Sequence, residues 1–196
     1  MKKVIIAIVA VSTLMISCKG EKKDKVEAKE EVKVEQIVAQ NNVDLTASLL
    51  TWKGSKPTGS HDGTVALKES TLKVEDGKLT GGEFIVDMSS IKCLDLKDPK
   101  KAAGLVGHLS SGDFFDVAAF PTAKFVIGSV KEVDGKLEVT GNLTVKETTQ
   151  GITIPASLTE EGGVYTFKSE VFNIDRTELG IKYNSGKFFN NLKDKL

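Results

Sequence analysis

Two histidines, two cysteines and a few acids are the groups in this chain that could do chemistry. His61 lies in SGSHDGTV. His108 lies in GHLSSGDFFDVAAFPTAKF, close to Asp113 and Asp116. Two imidazoles and a carboxylate are a common metal-ligand set, so His61, His108 and Asp113 or Asp116 form the candidate metal or redox centre. The spacing specifies no such site, and polar residues at loop bends usually bond to backbone. As a general base, His61 would need a nucleophile, and the sequence names none. A lone Cys93 suits a small, partly buried filler better than a catalytic thiol. Asp175-Arg176 holds the only arginine. It reads as a turn contact at a rim, with anchoring of a polar ligand head as the other reading. GxSxG, HExxH, CxxC and phosphate-loop motifs are absent. The expectation is no catalytic residue, no metal and no cofactor.

The ends and the charge narrow the class. Lys2 and Lys3 precede an apolar run, Val4 to Ile16, that is short for a membrane span and reads as an export signal. It ends Met15-Ile16-Ser17-Cys18, which resembles a bacterial lipobox and implies cleavage before Cys18 and acylation of its sulfur. Two or more acyl chains anchor a protein stably, at about 0.8 kcal/mol per buried CH₂. Lys19 follows Cys18 in place of the Asp that, by resemblance to some bacterial sorting signals, favours inner-membrane retention, and so leans toward the outer membrane. With Cys18 acylated, Cys93 has no partner for an internal disulfide. Removing Lys2 and Lys3 leaves 25 basic against 27 acidic groups, a balance that argues against nucleic acid. Residues 18–42, dense in Lys and Glu with no sustained apolar stripe, read as a lipid-anchored flexible tether. Residues 43–196 suit one domain with a real core.

The elements that must position these groups read mainly as strands. KLEVTGNLTVK puts Leu137, Val139, Leu143 and Val145 on one face, with Gly141, over eleven residues. GGEFIVDM places Phe84, Val86 and Met88 together. GITIPASLT does so for Ile152, Ile154, Ala156 and Leu158, LLTWKG for Leu50 and Trp52, and YTFKSEVFNI for Tyr165, Phe167 and Val171. Asp76-Gly77 and Asp134-Gly135 suit type I′ hairpins, and Glu161-Gly162-Gly163 makes a third turn. Gly81, Gly82, Gly128 and Gly141 inside strands mark bends or bulges where a sheet curls. Asp98 and Pro99 cap and start one short helix, to about Ser110, that plugs a barrel end. The reading is all-β: an antiparallel barrel of about eight strands with one short helix. Four of the nine Phe fall in Gly107–Phe125, which reads as a folding corner between that helix and the next strand.

In order along the chain, WKGSKPTGSHDGTVAL, GKLTGGEFIVDMSSI, LVGHLSSGDFFDVAAFPTAKFVI, VTGNLTVK and FNIDRTELGI closely resemble the YceI-like family of exported lipid-binding proteins. The likeness runs from Val43 to Asn184, and Gly107–Phe125 is its most specific block. Glu147 departs from the glycine common there, which puts the local turn in question. The resemblance implies a lipocalin-like barrel with an elongated apolar interior. It further implies binding of polyisoprenoid or isoprenoid quinone-type lipids, and it carries over no catalytic residue. The expected wall is Trp52, Phe84, Val86, Phe125, Ile127, Leu137, Val139, Leu143, Val145, Ile152, Ile154 and Phe167. The expected partners are a lipid ligand and, through Cys18, a membrane; a homodimer is compatible with the sequence. Two alternatives stand beside this: a metal- or redox-linked envelope enzyme using His61 and His108, and a stress-related interaction scaffold.

Overall fold

Tight turns organise the chain into successive antiparallel neighbours. Asp76 and Gly77 both take positive φ (50° and 75°), as do Asp134 and Gly135 (51° and 77°). That is the geometry a two-residue I′ hairpin needs, and Asp-Gly adopts it cheaply. The computed structural model of the protein describes residues 29–34, 41–56 and 59–185. The signal segment, Cys18 and the tether residues 19–28 and 35–40 lie outside the described residues.

The strands are β1 (Asn41–Asn42), β2 (Leu50–Lys56), β3 (Gly59–Glu75), β4 (Lys78–Cys93), β5 (Thr122–Val133), β6 (Lys136–Val145), β7 (Thr148–Glu161) and β8 (Val164–Ser169), with helix α1 (Pro99–Ser110) between β4 and β5. They form one sheet in the order β1-β3-β4-β5-β6-β7-β8, and β2 pairs β3 beside β1. Every pairing is antiparallel.

The sheet curls into a half-barrel. The rings of Phe84 on β4 and Phe167 on β8 stack with centroids 5.4 Å apart. Four strand spacings separate β4 from β8, about 19 Å along a flat sheet. Bulges help the bend. Gly128 is the extra residue between the Ile127–Gly141 and Ser129–Thr140 pairs, and three irregularities interrupt β3–β4. Lys146, not Glu147, takes the positive φ (55°) in the β6–β7 turn, so the missing glycine leaves the fold intact.

Asp98 caps α1 by accepting from the Lys100 and Lys101 N–H groups, and Pro99 stands in the first turn. The helix packs on β4. Leu109, Phe114, Phe115 and Val117 cover Met88, Ile91, Ala123 and Val145 at the barrel end opposite the Asp76-Gly77, Asp134-Gly135 and Gly162-Gly163 turns. The Gly107–Phe125 block is therefore a corner and a plug. Two expectations shift in detail. Asn41–Asn42 pairs with β3, and Lys29–Val34 lies on the sheet, both within the span read as tether. Val171 does not join Tyr165 and Phe167: it is 92% exposed, past the end of β8, and Phe172 packs on the core in its place.

Candidate functional site

Period-two alternation sends one face of every long strand into the curl. All twelve expected wall residues belong to the two interior clusters or pack against them. They divide by burial. Phe125, Ile127, Val139, Val145, Ile152 and Ile154 are buried among neighbours, Val139 completely (0% exposed). Trp52, Phe84, Val86, Leu137, Leu143 and Phe167 are half-buried and keep surface free for a further apolar contact. The first group is packed core; the second packs against it with part of its surface exposed. No polar or charged side chain is buried among the described residues.

The groups that could do chemistry stand elsewhere, with structural partners. His61 Nδ1 donates to Asp95 Oδ2 at 2.8 Å. The Asp62 N–H and the Cys93 thiol reach Asp95 Oδ1 at 3.1 and 3.2 Å. These contacts, the His61 hydrogen bond first, hold the Asp95 carboxyl at about 2, against the opposing pull of desolvation. The order of groups matters. Nucleophilic catalysis needs the imidazole between acid and thiol; here the carboxylate stands between them, and a thiol donating to a carboxylate is not being activated. His108 is committed to a different cluster. Its Nε2 lies 3.5 Å from Asp113, and its ring meets Phe114 and Tyr183 edge-on at 4.9 and 4.8 Å. Among the described residues no group of three or more His, Cys, Asp or Glu is placed to hold a metal ion.

Arg176 closes the plug. Its Nη1 donates to the Ile181 carbonyl at 2.8 Å and its Nη2 to that of Tyr183 at 2.6 Å, while the guanidinium lies 5.3 Å from the Phe114 ring centre. Burial pulls its pKa down, with Asp175 opposing. This fits the turn-forming reading of Asp175-Arg176. The sequence reading missed Asp95 as the partner of His61, and Tyr183 beside His108.

A sequence model described as the YceI-like domain matches residues 28–196. The chain belongs to the YceI-like family. The curated relatives include Protein YceI of Salmonella arizonae and of Salmonella newport, each 44% identical over 55 residues, 28% of this chain. The match spans only 29% of those relatives' length. Among solved structures, Burkholderia cenocepacia BcnA is similar at 25% identity and a TM-score of 0.60, over 78% of this chain and 89% of that one. A Campylobacter jejuni YceI protein aligns over 88% of this chain and 90% of its own at 14% identity and a TM-score of 0.46. Family and half-barrel together support a binding protein of an exported bacterial family. No helix among the described residues is long and apolar enough to cross a membrane.

Proposed function

We propose that the curl binds one long apolar amphiphile, a polyisoprenoid or isoprenoid quinone-type lipid, and carries it without chemical change in the bacterial envelope. The observation that carries this reading is the half-buried wall of Trp52, Phe84, Val86, Leu137, Leu143 and Phe167, facing an interior with no buried polar or charged side chain among the described residues. An eight-stranded barrel has room for side chains and one small ligand. Burial yields about 0.8 kcal/mol per CH₂, so a tail of roughly twenty carbons supplies on the order of 10 kcal/mol before ordering and association costs. Such binding needs shape and dryness, not a reactive group. In the same reading acylated Cys18 holds the domain at the outer membrane.

Native mass spectrometry of protein purified from bacterial membranes, followed by lipid extraction, tests both parts. The expected result is one bound isoprenoid per chain and an acylated Cys18 peptide. A consistently empty protein sinks the carrier reading.

A further inference from the structure

The outer face of the sheet carries a built contact that lipid binding does not use. Lys29 exchanges two backbone hydrogen bonds with Gly151 on β7, at 2.8 and 3.0 Å, where β8 no longer covers that edge. The chain then crosses the face. Asn142 on β6 serves Val32 as a strand would: its Nδ2 donates to the Val32 carbonyl at 2.8 Å and its Oδ1 accepts the Val32 N–H at 2.9 Å. Gly151 is opposite Asn142 in the ladder. A Cβ on Gly151 would collide with the Glu30 carbonyl, and one on Gly128 would stand 3.0 Å from Val32 Cγ2. Glycines thus open a path for backbone to lie on backbone. Burial alternates along the segment: Val32 and Val34 are half-buried, and Glu31 and Lys33 are exposed. The family match begins at residue 28, just before this contact, so the segment belongs to the domain.

We propose that the path Gly151–Asn142–Gly128 is a docking groove for the protein's own tether, and that docking and release set how far the domain can stand from its anchor. The second half rests on the reading of Cys18 as the anchor. Eleven residues run from Cys18 to Lys29, and twenty-three from Cys18 to Asn41 in β1. At roughly 3.3–3.6 Å per residue the reach is about 38 Å with the strap docked and about 80 Å with it released. Few contacts hold the strap, so it belongs to the low-stability end of the molecule, where local opening is easiest.

Amide hydrogen exchange on the full chain tests the docking. In the wild type the Val32 amide exchanges at least tenfold more slowly than in Asn142→Ala, while Val139 in the core exchanges equally in both, which certifies the fold of the variant. An unprotected Val32 amide in the wild type overturns the docking. Gly151→Val is the second variant, and it frees the same amide through sterics alone. The reach is read on lipidated protein in vesicles, by energy transfer from a label on Cys93 to acceptor lipids. Gly151→Val lowers the transfer relative to wild type, and equal transfer overturns the reach. A Cys18 peptide without acyl groups removes the reach together with the anchoring reading, while a protected Val32 amide still upholds the groove.

Discussion

Arg176 decides between a plug and a ligand anchor. Replacing it by Met keeps much of its length and removes its charge and both donors. The partly buried hydrogen bond to the Ile181 carbonyl is worth about 1.5–2 kcal/mol as a charge-assisted bond. The bond to Tyr183 is exposed and contributes less, about 0.5–1 kcal/mol. Stacking on Phe114 adds about 0.5–1 kcal/mol. Arg176→Met is therefore expected to cost about 3 kcal/mol. With a urea slope of about 2 kcal/mol per molar, the unfolding midpoint falls by about 1.5 M. Arg176→Lys keeps the charge but reaches one carbonyl and loses the flat stack, so it falls between the two. The assay is equilibrium urea unfolding followed by tryptophan fluorescence, since Trp52 packs against the plug cluster. If Arg176→Met unfolds within about 0.3 M of the wild type yet loses its bound lipid, the plug argument is refuted and Arg176 is a head-group anchor.

Other perturbations separate core, wall, cap and rim. Ile154→Ala empties a side chain only 5% exposed and should cost about 3 kcal/mol in the same assay. Phe167→Ala, by contrast, removes half-buried wall and the stack on Phe84, so lipid retention in native mass spectrometry should fall more than stability does. Asp98→Ala removes the cap from α1 and should cost about 1 kcal/mol, seen as a lower melting temperature. The Asp95 carboxyl is held below its ordinary value, so its contribution is complete above about pH 4 and is lost as pH falls toward about 2. Thermal melts over that window should therefore decline more steeply for wild type than for Asp95→Asn; parallel curves would remove the His61 pairing from the account.

The alternation was legible because a half-dry strand writes its burial directly into period two. The twelve apolar residues named from alternation all lie in or against the hydrophobic core clusters, which bears out the alternation. The turns were legible too, since Asp-Gly has few other uses between alternating runs. Register was not. An uninterrupted ladder from the Glu75–Lys78 pair would set Gly63 opposite Ser90; the bulges move it to Cys93, which brings Asp95 to His61. Bulges depend on how two strands share curvature, and neither strand records that alone. The strap was hidden for a different reason. Its anchors are backbone groups, glycines and one asparagine side chain, so a segment rich in Lys and Glu gave no apolar stripe to read.

The curled sheet ends in two different edges. Among the described residues β8 pairs with β7 alone, and β1 and β2 pair with β3 alone. The circumference therefore has a seam between β8 and the β1/β2 edge that no ladder closes among the described residues, while the Phe84–Phe167 stack reaches across the interior from β4 to β8. A ladder fixes strand spacing near 4.8 Å, whereas side-chain contacts yield continuously. On the proposed carrier reading, the girth of the interior would therefore follow its ligand. On that reading a thicker chain would widen the seam at the cost of dispersion contacts, without breaking a backbone hydrogen bond. The protein would then act as a sprung clip, tolerant of the cross-section of its ligand.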